Sequence, residues 1–458
     1  MARFTVIFIT LVVAMGAFVY GFDSGIIATT LGQENFKLYF FGPTKRNASL
    51  AGAVVSLYNA GQAIGGLCCG HLADKLSRKF TISTMSLQSI IGAALQVGAV
   101  NIAMMIVGRF IAGIACGVLL AIVSVYIAEV SPPTHRGFMV GLHGMVIALG
   151  YGAAGWIGYA GSFASGQAQW RIPLGMQIPV PIVLSVAACF VPFSPRWLLQ
   201  QNREDEAAKV LFRLHGDEGF ANQELVEIRD QINLEKSYAD TTWAAAMASS
   251  FIVSMSQVSG ASVIQNFQSI FFETVGFTGR QSLLMSAAYG MVGIAANTIH
   301  LAVVADRWPR VRTLWTGSLL LSIMITVCMA LSAVYGSGGA SRTADSGAGA
   351  RAAIAMIFLY QSVYGIFFNS VIWIVPSELF PFFLRSKGLS LSVTARSIVA
   401  IVLSQITPVA LADISWRFYA VFIATTSLLA LFTSSSFLRQ SRLEGPTRAF
   451  TSSSTKSS

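Results

Sequence analysis

GRFIAGIACGVLLAIVSVYIAEVSPPTHRG (residues 108–137) opens next to an arginine and meets no further charge until Glu129. An apolar run of this length reads as a membrane span. Because the preceding NIAMMIVG (101–108) is also uncharged, Arg109 lies inside that span rather than at its edge. A guanidinium that cannot shed its proton is costly at such depth, so it is expected to face a polar interior and a partner. One acid sits comparably deep in an apolar run: Asp23, in VYGFDSG (19–25). Asp23 is 19 residues into an outgoing first span that starts near Phe4, and Arg109 is five residues into an incoming fourth span that starts near Met104. At ~1.5 Å per residue both fall in the same outer half of the bilayer and can pair. The pair is a candidate proton-coupling site, with a purely structural ion pair as the alternative.

Composition fixes the class. The chain has 458 residues, 54% hydrophobic and 11% charged, and its mean hydropathy of +0.65 identifies a polytopic membrane protein. The five cysteines (Cys68, Cys69, Cys116, Cys189, Cys328) all lie in apolar segments without ligand spacing, so neither a disulfide framework nor a metal site is implied. A net charge of +10 raises the question of nucleic acid, but the bases are scattered over membrane-flanking loops with no aromatic-interleaved patch, and no nucleic-acid partner is expected. No nucleophile–base set, phosphate loop or HExxH helix appears, so the chain reads as no enzyme and needs no cofactor.

Hydropathy predicts spans at 4–28, 50–70, 80–99, 102–128, 139–161 and 174–192, then 244–272, 282–304, 313–335, 352–376, 387–412 and 416–437. This divides the chain into a first six-helix bundle (1–192), a cytoplasmic linker with short amphipathic helices (193–243), a second six-helix bundle (244–437) and a disordered tail (438–458). An N-terminus on the cytoplasmic side leaves 20 Lys and Arg inside against 8 outside, with Arg109 and Arg396 completing the 30. Both termini are therefore expected in the cytoplasm. Asn47-Ala48-Ser49 is then an external glycosylation sequon.

The two halves repeat a charge pattern. GHLADKLSRK after the second span carries Asp74 and Arg78 four apart, and VVADRWPRVR after the eighth carries Asp306 and Arg310 four apart. After the fourth span Glu129, Pro132 and Arg136 stand at relative positions 0, 3 and 7, as do Glu378, Pro381 and Arg385 after the tenth. Two matches at equivalent places indicate a duplicated six-plus-six architecture. Its physical use is alternating access. The eight charges form a candidate cytoplasmic gate of exposed pairs, each contributing ~0–1 kcal/mol, that close when the halves meet on that side.

These segments, with VGRFIAG (107–113), YIAEVSPPTHRG (126–137), SPRWLL (194–199), SQVSG (256–260), WIVPSELFPFFLRSKG (373–388) and SQITPVALADISWRFY (404–419), resemble the sugar porter family of the major facilitator superfamily, most of all its fungal members. The resemblance implies an all-α membrane protein of twelve transmembrane helices in two bundles that moves a sugar or sugar-like solute. It also implies that Asp23 takes the proton and Arg109 is its partner. The departures gather where sugar would bind. The family's fifth-helix glutamine falls at Gly144, beside His143; in the seventh helix Gln257 remains while Ser256 and Ser262 replace a glutamine and an asparagine. Asn297 lies one turn from the position of the family's eighth-helix asparagine, Trp373 keeps a tryptophan that borders the substrate, and Asn369 and Ser370 replace a glycine and a proline. In the eleventh helix two asparagines become Arg396 and Ala400. Gln257, Trp373, Arg396, Asn297, His143 and Asn369 are thus the candidate substrate-binding residues. The reading is a proton-coupled secondary transporter in the plasma membrane, whose partners are a small solute, the proton and the lipid bilayer. Its rivals are a transport-inactive sugar receptor with the carrier fold and a carrier of an acidic sugar-like solute recruited by Arg396.

Overall fold

The computed structural model describes residues 2–43, 47–131, 136–216, 218–235, 242–274, 277, 279–305, 307–335, 346–379 and 385–431. Among them the chain is helical throughout and threads the membrane twelve times, six and six. Nine of the helical segments are long and apolar enough to cross a bilayer on composition alone. The other three passages are α3 (Ala48–Leu76), the broken seventh passage and the last helix, Trp416–Leu431. α3 is less apolar for a physical reason: Ser56 and Asn59 turn into the protein, where they donate to Gln405 and Ser404 of the second half, partners that lipid does not offer.

In the first half, α1 (Ala2–Gly32) packs on α6 (Arg136–Gly161), and α5 (Ile102–Val130) packs between α3 and α4 (Arg78–Val97). The stretch GQAIGGLCCG of α3 makes this close approach possible, since a Cβ on Gly65 would stand 2.2 Å from the Ile114 carbonyl oxygen. The halves meet along α3 with α19 (Arg385–Asp413) and along α6 with α15 (Arg280–Ile299). Asn47 caps α3 by accepting from the Leu50 amide at 3.1 Å, and Asn101 caps α5 through the Met104 amide at 2.8 Å.

Three passages depart from the straight spans that hydropathy predicts. The sixth, expected at 174–192, starts earlier and is broken into α7 (Ala168–Gly175) and α8 (Pro179–Phe190), with Pro173 inside α7 and Pro179 opening α8. The seventh, expected as one span over 244–272, is α12 (Thr242–Val258), α13 (Ala261–Asn266) and α14 (Gln268–Thr274), because Gly260 adopts φ +87° and stops the first piece. The freed Ser259 carbonyl accepts from the Tyr360 hydroxyl at 2.8 Å. The tenth runs as α17 (Ser346–Tyr364), a wide five-residue turn (Gly365–Asn369) and α18 (Val371–Leu379), and that turn swings Asn369 and Ser370 toward α6.

Between the halves, α9 (Pro195–Gln200), α10 (Glu204–His215) and α11 (Glu218–Glu235) form a separate small core around Trp197, Leu211, Ala221 and Ile228. α2 (Glu34–Phe41), an element not anticipated between the first two spans, seats Phe36 and Phe40 edge-on against Trp170 of α7.

Candidate functional site

Asp23 and Arg109 meet inside the first half. Arg109 Nη1 donates to Asp23 Oδ1 at 3.1 Å and to the Asp23 carbonyl at 3.0 Å, and both residues are buried. The guanidinium lies 4.1 Å from the centre of the Tyr58 ring, and Cys116 Sγ approaches Asp23 Oδ2 at 3.5 Å. Arg109 Nε and Nη2 make no hydrogen bond. Arg109 therefore holds the carboxylate through one N–H at one oxygen, with the Cys116 thiol donating to the other, and protonation can break the ionic contact while Arg109 keeps the carbonyl and the aromatic face.

Deeper toward the half interface stands Arg396 of α19, whose Nη2 donates to the Tyr20 hydroxyl at 2.8 Å. With the Gln257 amide turned so that both its ends are satisfied, its oxygen accepts from Arg396 Nε at 2.7 Å and Nη2 at 2.9 Å, and its nitrogen donates to Ser262 at 2.9 Å. Tyr20 belongs to the first half and Gln257, Ser262 and Arg396 to the second, so this cluster ties the two together.

A second cluster forms around the wide turn of the tenth passage. Asn369 Nδ2 donates to the Gly144 carbonyl and to Asn297 Oδ1, each at 2.9 Å, while Asn297 Nδ2 donates to the Gly293 carbonyl at 2.8 Å. A Cβ at Gly144 would lie 2.6 Å from Ser370 Oγ and 2.9 Å from its Cα. No side chain fits at Gly144 while the Ser370 backbone keeps this position. His143 is buried edge-on to Trp373, with ring centres 5.2 Å apart, and Ser124 Oγ is 3.4 Å from its ring nitrogens.

The gate residues divide. Arg78 donates from Nε to Glu129 Oε2 at 3.1 Å and from Nη2 to Oε1 at 3.0 Å, a bidentate pair buried within the first half. This corrects the expectation of an exposed pair between the halves: the last turn of α5 and the start of α4 pack tightly enough to enclose both groups. Asp74 lies 3.6 Å from Arg78 Nη1 and reaches Lys387 of α19 at 3.9 Å, which does cross between the halves. Arg310 donates to the Ala305 carbonyl. Asp306 and the side chains of Arg136, Glu378 and Arg385 lie outside the described residues.

On the opposite face Lys37 of α2 pairs with Glu273 of α14 at 2.7 Å. Beside that bridge lies a pocket of about 340 Å³, lined by Gln33, Asn35, Leu38, Ser162, Gln169 and Arg280 among others. Sequence reasoning missed Tyr20, Lys37, Glu273 and Lys387, which carry no motif and acquire partners only through the fold. Among the described residues no cluster of three or more His, Cys, Asp or Glu is gathered as for a metal ion.

Residues 9–439 match the family described as "Sugar (and other) transporter". The chain is 33% identical to the MFS-type transporter criB of Aspergillus cristatus over 92% of its length and 87% of the relative's. It is 27% identical to the glucose transporter GlcP of Staphylococcus epidermidis over 94% and 93%. In fold it is similar to the proton:xylose symporter XylE bound to 6-bromo-6-deoxy-D-glucose, with TM-score 0.84, 20% identity and coverage of 95% and 96%. An inward-open form of the E. coli protein gives TM-score 0.74 over 93% and 95% at 20% identity.

Proposed function

The chain belongs to the sugar (and other) transporter family, and from that premise we propose that it is a secondary transporter that carries a sugar-like solute by alternating access, driven by a proton taken up at Asp23. The observation that carries the reading is the single N–H contact of Arg109 with the Asp23 carboxylate, buried within the first half and three residues from Tyr20, which accepts from Arg396 of the second half. Protonation removes the charge of Asp23 and frees Arg109 Nη1 from the carboxylate. α1 then loses its ionic tether to α5, and its contact through Tyr20 with α19 can rearrange. Solute binding at Gln257, Asn297, Asn369 and Arg396 biases the same interface, so proton and solute shift one equilibrium between two arrangements of the halves. Relatives bearing the names of glucose transporters and a fold neighbour named as a proton:xylose symporter support the solute class and the coupling. The proposed setting is the plasma membrane with both termini in the cytoplasm, supported by the excess of 20 over 8 basic residues.

The test is uptake into proteoliposomes of the purified full-length chain, with labelled hexoses and hexuronates, with and without an inward proton gradient. The expected result is gradient-dependent accumulation above equilibrium, and in Asp23→Asn equilibration and exchange without accumulation. Uptake that ignores the gradient in the unmutated protein would make it a facilitator and the ion pair structural.

A further inference from the structure

Two arginines buried in the first half each face a carboxylate: Arg109 holds Asp23 and Arg78 holds Glu129. Arg396 is 7% exposed, 11 residues into α19, and has no carboxylate within ion-pair distance among the described residues. Its partners are a phenol and an amide, which accept hydrogen bonds but do not neutralise a charge. Among the described residues Nη1 has no acceptor, while Nε and Nη2 are held by Gln257 and Tyr20, so one nitrogen of the guanidinium is left for a ligand oxygen.

An independent observation lies next to it. Tyr151, edge-on at 6.4 Å to the Tyr20 ring whose hydroxyl accepts from Arg396, lines a narrow cleft of about 10 Å³ with Ala148, Gln265, Gln268, Tyr289 and Gln361. Gln268, Tyr289 and Gln361 are each at most 5% exposed, yet Gln268 Oε1, Tyr289 hydroxyl and Gln361 Oε1 make no hydrogen bond. Buried amide oxygens without donors are costly, and hydroxyl groups of a ligand are the donors that match them. Among the described residues a cation without an anion is thus linked, through Tyr20 and Tyr151, to a cleft of acceptors without donors.

We propose that the substrate is a polyhydroxylated monocarboxylate of hexuronate type, whose carboxylate meets Arg396 Nη1 and whose hydroxyls meet Gln268, Tyr289 and Gln361 once the cleft, with about 10 Å³ of room in this arrangement, widens as the halves move. The proposal rests on the carrier reading for the place of the site, but its test needs no transport.

The probes are D-galacturonate, D-galactose and propionate, and the readout is thermal stabilisation of the detergent-purified full-length chain over a concentration series. Galacturonate is expected to bind roughly tenfold or more tighter than either galactose or propionate, as one charge-assisted contact on top of the hydroxyl contacts implies. Arg396→Gln should weaken galacturonate roughly 10- to 100-fold and galactose by at least tenfold less than that, and Gln361→Leu should weaken both sugars. If Arg396→Gln does not fold, Arg396→Lys carries the test, because a point charge in place of the guanidinium must weaken galacturonate more than galactose. Equal stabilisation by galacturonate and galactose, no stabilisation by galacturonate, or galacturonate binding untouched in the Arg396 variants overturns the inference. Galactose accumulation without galacturonate binding would sink the anion site and leave the carrier standing; galacturonate binding with no uptake of any solute would do the reverse.

Discussion

Arg78 grips both oxygens of Glu129, whereas Arg109 grips one oxygen of Asp23 through one nitrogen. The difference predicts different costs. Glu129→Ala leaves the buried Arg78 guanidinium with the Ala73 carbonyl and Asp74 at 3.6 Å, and the lost bidentate contact should destabilise the detergent-solubilised protein by ~1–3 kcal/mol in chemical denaturation. Asp23→Asn should cost less, because Arg109 retains the Asp23 carbonyl and the Tyr58 ring. At Gly144 the prediction is steric: Gly144→Gln should not restore a neutral-sugar site but should lower uptake of every solute, since its Cβ alone would come within 2.9 Å of the Ser370 backbone. Asp23 and Arg109 were legible in the sequence because a charge inside an apolar run stands out against its neighbours. The partners of Arg396 were not, since Tyr20 and Gln257 lie on helices far away in the chain and nothing local marks them.

The seventh passage shows how an element departs from its hydropathy. Apolar content over 244–272 predicts one helix, but Gly260 in the left-handed region ends α12, and the passage resumes as α13 and α14. This break orients Gln257 toward Arg396 on one side and Gln265 and Gln268 toward the cleft on the other. Gly260→Ala should cost ~1–2 kcal/mol for the backbone alone. More follows from the Phe422 ring, 2.8 Å from the added Cβ, and reduced thermal stability together with impaired uptake would report it. A glycine in SQVSG hints at such a stop, but the wide turn at Gly365–Asn369 has no comparable signal in its own residues. It exists because Asn369 and Ser370 find acceptors on α6 and α15. α2 was missed for a related reason, as eight residues are too few to show a period and its stability comes from stacking on Trp170.

Taken whole, the molecule is bridged on both faces, by Lys37–Glu273 on one and Asp74–Lys387 on the other. Alternating access requires each to open in turn, and partly exposed pairs of ~0–1 kcal/mol suit contacts that must break on every cycle. Lys37→Ala should therefore raise the population open on its own face by up to about fivefold. A single cysteine at Ser162, in a background without the five native ones, would read this as faster thiol labelling; an unchanged rate would mean the bridge does not hold that face shut. The six-plus-six plan was legible from charge repeats and span counting. The burial of Arg78 and Glu129 was not, because a loop motif does not disclose how closely two helix ends pack. The central claim, that solute moves with a proton through Asp23, is tested most directly by trapping a pH-sensitive dye inside proteoliposomes and adding whichever solute the unmutated chain takes up. Internal acidification that tracks solute entry, and is lost in Asp23→Asn while solute exchange persists, is the predicted result; solute entry with no proton movement in the unmutated protein would contradict it.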